Sequence, residues 1–438
     1  MKLLYIDPWI PYPLTSGGNH AFFMMADHVR KYHELSLLLH IHHNEDKKHI
    51  EALQKLWPDV TFYVFDDEKK REFLVNHPTY NPYNGMSRKD TMLSKSYLYV
   101  LNSMQRKIAR KKRKYDASND DFVRSNSTLF MESADLTPSF CSYVSDVCSQ
   151  GFDIVQVEFF EYLPLVYAIP QQCKKVFVHH ELRFIRNEIE LGLFKNVQLS
   201  DTMLLQKKKA EELAALSAYD AVVTLTDIDR DILKEYLPEK KLFTSPAITQ
   251  TVALEHLPFK PVKDIVFVGN SNHFPNVDGM VWFCSEIVPI LKEKGVQVPT
   301  IYATGNWDAR NKKILTELCP EVAFPGFIDD LQSFLNGKLS IVPIRIGSGM
   351  RMKLIDTACA AAPIVTTSKG CEGLPFVHEE NCLKADTPED FANAVARLLA
   401  DQDLQKKLAI NAQNAKTTML DEQQRLAMRL KVYENLVE

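Results

Sequence analysis

Twice along this chain, short apolar runs alternate with amphipathic helical segments, and that repeated alternation limits the fold more than any other feature. Residues 2–6, 35–41 and 60–65 read as strands, with a helix over 20–31 that places Phe22, Met25 and Val29 on one side. The pattern stops over 66–136. It resumes with strands at 153–158, 175–180 and 221–226 and a long helix near 200–218. A second series opens with a strand at 264–269, continues into a helix over 277–293, and adds strands at 300–304, 322–325, 340–343 and 364–367. Strand-helix-strand units with short connections build parallel sheets covered by helices on both faces. Two such series, joined by a Pro-containing stretch at 255–263, predict an α/β chain of two doubly wound, Rossmann-like domains facing a cleft. The expected division is 1–258, carrying an insertion at about 66–136, then 259–415, then a terminal helix at 416–438 packing back toward the first domain.

Composition removes several function classes. With 438 residues, 45% of them hydrophobic and 25% charged, the chain is neither a disordered tail nor a coiled coil. Lys and Arg number 52 against 56 Asp and Glu, a net charge of -4, whereas binders held by nucleic-acid phosphates are usually basic, so no nucleic-acid partner is expected. Eight cysteines without a Cys-x-x-Cys pair suggest reduced core residues, and no metal site is expected. No apolar run approaches the roughly 18–20 residues that span a bilayer. The opening MKLLYIDPWIPYPL reads as a strand broken by Asp7 and three prolines rather than as a signal peptide, so the expected location is cytoplasmic. The basic segment 88–115, with Leu98, Leu101 and Ile108 among Arg106, Lys107 and Arg110, reads either as a solvated basic face or as a partly amphipathic helix that contacts an anionic membrane on the inner face.

In parallel sheets, ligands bind beyond the carboxyl ends of the strands, where helix N-termini converge. Three loops stand at such positions. The first, Pro11 to Asn19, contains Gly17 and Gly18, which remove side chains where backbone amides can meet a ligand oxygen. The second runs from Asn270 through His273 to Asn276 and offers neutral donors. The third is the most telling: an apolar strand enters Arg345-Ile346-Gly347-Ser348-Gly349 and then a helix bearing Arg351, Lys353 and Asp356. Cations in a first helical turn oppose the macrodipole, a conflict that an anion bound there resolves. Arg351 and Lys353 are therefore expected to hold a phosphate group, with Asp356 near enough to accept from a sugar hydroxyl. Glu372 follows on the next turn.

The run VPIRIGSGMRMKLIDTACAAAPIVTTSKGCEGL resembles the signature of family 4 glycosyltransferases, retaining enzymes of GT-B fold. FVGNSNHFPNVDGMVWF is similar to the loop and helix that open their C-terminal domain, and DTPEDFANAVARLLADQDLQKKLAINA to their closing helices. The resemblance implies a UDP- or GDP-linked sugar donor on the C-terminal domain, needing no metal or other cofactor. It also implies a glycan or lipid-linked acceptor on the N-terminal domain, held near Gly17, Gly18 and Asn19. Asn270, His273, Arg345, Gly347, Ser348, Gly349, Arg351, Lys353, Asp356 and Glu372 become the donor-binding set. Glu158 stands where many members have a histidine. With His180, Arg351 and Lys353 it completes the expected catalytic set. The usual Glu-x7-Glu pair reads Ser348 and Asp356 here. That departure leaves open a silent nucleotide-sugar-binding subunit, and the acidic residues Glu158, Glu161 and Glu181 leave open a sugar-nucleotide epimerase of the same fold.

Overall fold

The computed structural model describes residues 1–14, 16–76, 121–131, 136–248, 257–419 and 421–437. The segment 88–115, read as a basic, partly amphipathic helix, lies outside the described residues, as do residues 255 and 256 of the expected linker 255–263. Among the described residues, no helix is long and apolar enough to cross a membrane.

Two parallel sheets organise the chain. The first contains β1 (Lys2–Asp7), β2 (Glu34–His40), β3 (Thr61–Phe65), β4 (Ile154–Glu158), β5 (Lys174–His179), β6 (Ala221–Thr224) and β7 (Lys241–Thr244), in the order β3-β2-β1-β4-β5-β6-β7. The second contains β8 (Asp264–Val268), β9 (Ile301–Thr304), β10 (Val322–Gly326), β11 (Lys338–Val342), β12 (Ile364–Thr366) and β13 (Leu383–Lys384), in the order β10-β9-β8-β11-β12-β13. Burial on both faces explains why the strands read as apolar runs rather than as alternations. In β1, Leu3 and Tyr5 enter one core while Leu4 and Ile6 enter the core on the opposite face. The two-domain α/β architecture is as the sequence predicts. The edge strands β7 and β13 are additions; at four and two residues they carry no apolar run to read.

The helix after β8 starts at Phe274 rather than 277, because Pro275 fits a first turn that needs no amide donor. It passes through a π turn at Phe283–Ile287 into Val288–Glu293. Pro289 lacks the amide that would continue the regular ladder, and the preceding Val288 amide bonds back to Phe283 O instead.

Both sheets reverse direction of winding at one place, between β1 and β4 and between β8 and β11. A crevice forms at such a switch point because neighbouring crossovers leave on opposite faces. The loops after β1, β4, β8 and β11 hold most of the sequence-derived candidates, while His180 follows β5 and Glu372 follows β12. The terminal helix Glu422–Val437 lies against the first domain, where Leu426, Val432, Tyr433 and Leu436 join its core. Burying a side chain of that size contributes about 1.5–3 kcal/mol.

Candidate active site between the two domains

The C-terminal wall is built on two strand ends. Beyond β11 the chain turns through Gly347-Ser348-Gly349 into the helix Met352–Cys359, with Arg351 at its N-cap. The Arg351 guanidinium is buried; Nη1 donates to the carbonyls of Ser348 and Gly349, and Nη2 has no hydrogen-bond partner. Lys353 reaches sideways instead. Its Nζ donates to Asn276 Oδ1 at 2.6 Å and lies 4.3 Å from the centre of the Phe267 ring. Burial lowers its pKa to about 7, helped by Arg351 and opposed by Asp356. Asp356 is pushed the other way, up to about 7, because burial outweighs the pull of Lys353.

Asn276 is a residue the sequence did not single out. Its Nδ2 donates to Asn270 O at 2.9 Å while Oδ1 receives Lys353, so one amide joins the β8 loop to the cation. Asn270 turns its own side chain onto the Asn272 amide at 3.1 Å. His273 stands at the N-cap of the Phe274–Trp282 helix, 3.4 Å from Arg186 of the other domain. The enclosing cleft and Arg186 hold its pKa below the ordinary histidine value, against the pull of Glu181.

Two sequence-derived donor residues have partners within their own domain. Arg345 makes a bidentate pair with Asp278, at 2.8 and 3.1 Å, over the Trp282 ring. Glu372 holds Lys369 at 2.6 and 2.8 Å, and its charge is felt by Arg351. The Arg345–Asp278 pair forms through tertiary approach, which spacing along the chain does not reveal, whereas Lys369 and Glu372 are three residues apart on one turn.

The N-terminal wall centres on Glu158 at the end of β4. His180 donates to its Oε2 at 2.6 Å, and Gln156 Nε2 donates to its Oε1 at 2.6 Å. Gln156 in turn accepts from Tyr433 of the terminal helix at 2.7 Å, so that helix is wired to the site carboxylate. The His180 ring stacks on Phe159, with centroids 3.9 Å apart. Glu212 fixes the turn after β5: it accepts from His179 Nε2 at 2.8 Å and from the amides of Arg183 and Phe184 at 3.0 and 2.8 Å. Glu181, on that turn, accepts from Arg186 at 3.0 Å. Although burial raises its pKa, Arg186 and Arg183 hold it at about 2.

The walls touch at the glycines. Gly349 has φ +76, and a Cβ there would lie 2.0 Å from His180 O. A Cβ on Gly347 would lie 2.7 Å from Glu181 Oε1. Ser348 Oγ accepts from the Leu182 amide at 2.7 Å, and the Gly349 amide donates to Asp229 at 3.0 Å. At the entrance, Gly17 packs on Met352 and Gly18 on the Phe159 ring, with prospective Cβ contacts of 3.3 and 3.2 Å. Asn19 Nδ2 donates to Ile10 O at 3.2 Å. The space expected at these glycines for a ligand is taken up by the opposite domain at 347–349 and by packed side chains at 17–18. Glu158, His180, Ser348, Gly349, Arg351 and His273 are thereby gathered along one seam.

Comparison with known proteins agrees with this layout. Over its whole length the chain superposes on sucrose-phosphate synthase from Thermosynechococcus elongatus, covering 100% of this chain and 99% of that one, with a TM-score of 0.63 at 12% identity. The chain has the GT-B fold. TarM from S. aureus, solved with fondaparinux, alpha-GlcNAc-glycerol and UDP, covers 99% of both chains with a TM-score of 0.62 at 11% identity. HepE from Anabaena, solved with UDP and glucose, gives 0.57 at 11% identity, covering 99% of this chain and 100% of that one. Residues 262–401 match the family model described as Glycosyl transferases group 1, so the group 1 likeness read from the sequence lies on the C-terminal domain. An uncharacterised 44.6 kDa protein in the cps region of Klebsiella pneumoniae is 27% identical over 161 residues. That match spans 34% of this chain and 40% of the relative's length.

Proposed function

We propose that the protein is a retaining, metal-independent glycosyltransferase that moves a sugar from a UDP- or GDP-linked donor to a glycan or lipid-linked acceptor. The observation that carries the reading is the state of two cations beside one helix start. Lys353 rests on a neutral amide and Arg351 keeps a buried Nη2 without a partner, and among the described residues neither makes a direct ion pair with a carboxylate, although carboxylate charges act on both. Two cations with no directly bonded carboxylate are suited to an anion. As the glycosidic bond to the donor breaks, negative charge grows on the departing diphosphate. Arg351, Lys353 and the helix dipole meet that charge without having to reorganise, in the place a metal ion would otherwise fill. Asp356 lies behind Lys353 with its carboxylate available to a ribose hydroxyl. Glu158 and His180, on the facing wall, orient the donor sugar and offset positive charge at its anomeric carbon. UDP in the TarM and HepE structures and the cps setting of the Klebsiella relative support the donor and glycan assignments.

Incubation with a panel of radiolabelled UDP- and GDP-sugars tests the proposal. Transfer to a glycan acceptor, or slow donor hydrolysis without one, is the expected result, with the product's anomeric configuration unchanged. Epimerised donor would assign the chain to the epimerase alternative, and binding without turnover to the silent subunit.

A second expectation concerns protons. Lys353 has a pKa of about 7 in the free protein, and a bound diphosphate raises it. Binding of UDP or GDP at pH 8 should therefore take up a proton, seen as a calorimetric enthalpy that varies with the buffer's ionisation enthalpy. Affinity should decline as pH rises from 7 to 9, because the protonated form is the one that binds. Proton release at pH 8 would contradict this account of Lys353.

A further inference from the structure

The N-terminal domain meets the donor loop through the start of a second helix, Asp227–Tyr236, which follows β6. Thr226 is its N-cap: Thr226 Oγ1 accepts from the Asp229 amide at 3.1 Å and donates to Asp229 Oδ2 at 2.7 Å. This Thr-x-x-Asp arrangement is an ordinary helix-start device. The same oxygen, however, also accepts from the Gly349 amide of the other domain at 3.0 Å, and Asp229 is only 3% exposed. Thr226 itself lies against a second glycine of the C-terminal domain, since a Cβ on Gly373 would fall 2.6 Å from its Cγ2. One helix start thus engages two turns of the facing domain.

The structure contains its own control. Thr387 and Asp390 repeat the device at the start of the Pro388–Ala400 helix, with the same two distances, 3.1 and 2.7 Å. There the carboxylate is solvent-exposed, and among the described residues no hydrogen bond joins it to the other domain. The two carboxylates are alike as capping groups and differ in whether they reach across the cleft. They differ in burial too, so the shape of the molecule, which a lost cap or a buried cavity does not enlarge, is the reading that separates the latch.

We propose that Asp229 is a positioning residue that latches the two domains, holding the Gly347–Arg351 loop closed against the N-terminal wall through the Gly349 amide. It touches no substrate. It sets the fraction of molecules in which Arg351 faces Glu158 and His180, and apparent affinity scales with that fraction. The kinetic part of this claim rests on the donor reading above; the shape of the molecule does not.

The test compares Asp229→Ala with Asp390→Ala by small-angle scattering, thermal melting and calorimetry with UDP and, separately, GDP. Asp229→Ala should lose more thermal stability than Asp390→Ala, since it gives up a buried interdomain hydrogen bond as well as a capping group. Only Asp229→Ala should enlarge the radius of gyration, and it should weaken nucleotide binding by about tenfold, the scale set by one lost charged hydrogen bond. Should Asp229→Ala fail to fold, Asp229→Asn and Asp390→Asn take its place. The amide keeps an acceptor but no charge, so a smaller shift in the same direction is expected. Equal radii of gyration for the paired variants would overturn the latch. If the wild-type chain binds neither nucleotide, the donor reading fails, and the scattering comparison still decides the latch.

Discussion

Gly349→Ala should reduce kcat/KM by at least about a hundredfold, the cost of misplacing a reacting partner by roughly 1 Å. Two effects combine at this position. The φ of +76 is one that alanine adopts only under strain, and the added Cβ would overlap His180 O at 2.0 Å. Neither neighbour is the flexible end of a side chain; one is the turn carrying His180 and the other the loop carrying Arg351. Relief comes through parting the domains. Gly151→Ala isolates the first effect, since Gly151 has φ +89 and nothing within 4 Å of its prospective Cβ. That variant should bear the backbone strain, a loss of about 1–2 kcal/mol, and keep its activity. Steady-state kinetics and small-angle scattering on both variants check the expectation. Activity loss in Gly349→Ala with unchanged shape and unchanged KM would indicate that closure is not what the glycine provides.

The Gly349 contact shows where sequence reading ends. That the position needs a glycine is legible, because a strand enters Gly-Ser-Gly and a helix leaves it. What comes close is not legible: a ligand oxygen is the natural expectation, and a carbonyl from residue 180 is what lies there. Chain-local physics carries most of the fold. Fully buried strands announce themselves as apolar runs, Pro388 with Glu389 and Asp390 marks a helix start, and Thr387 proves to be its cap while Asp386 instead accepts from the Ser368 amide and hydroxyl. The site is legible as a set of loops, since parallel sheets place ligands at their switch points. Partnerships within it are not. Asp278 is what occupies Arg345, Asn276 is what steadies Lys353, and Asp229 is what holds Gly349. Each is distant in sequence from the residue it holds. Asp229 alone had a readable signal: a Thr-x-x-Asp start directly after a parallel strand must lie on the ligand side of its sheet.

The second large effect is expected from Lys353→Met, which should lower kcat by about 10²–10³, the usual loss for one preorganised charge-stabilising donor. Methionine approximates the length of the apolar stem beside Phe267, so packing changes little while the charge disappears. Arginine should not rescue the activity: its planar guanidinium presents donors in a different geometry from the ammonium that meets Asn276 and Phe267, and it cannot share the lysine's proton balance with Asp356. The pH profile separates a lost cation from a lost contact. In the free protein Lys353 and Asp356 both titrate near 7, the lysine lowered by burial and the carboxyl raised by it. As pH rises past that value the lysine loses its proton, and as pH falls past it the carboxylate gains one. The wild-type kcat/KM should therefore form a narrow bell centred near pH 7, with flanks belonging to the coupled pair. Lys353→Met should lose the alkaline flank and keep the acidic one, moved to higher pH because Asp356 no longer has a cation beside it. Asp356→Asn should do the converse, losing the acidic flank while the lysine's flank moves to lower pH. A Lys353→Met enzyme that retains the full bell would show that the charge meeting the leaving group is supplied elsewhere in the cleft.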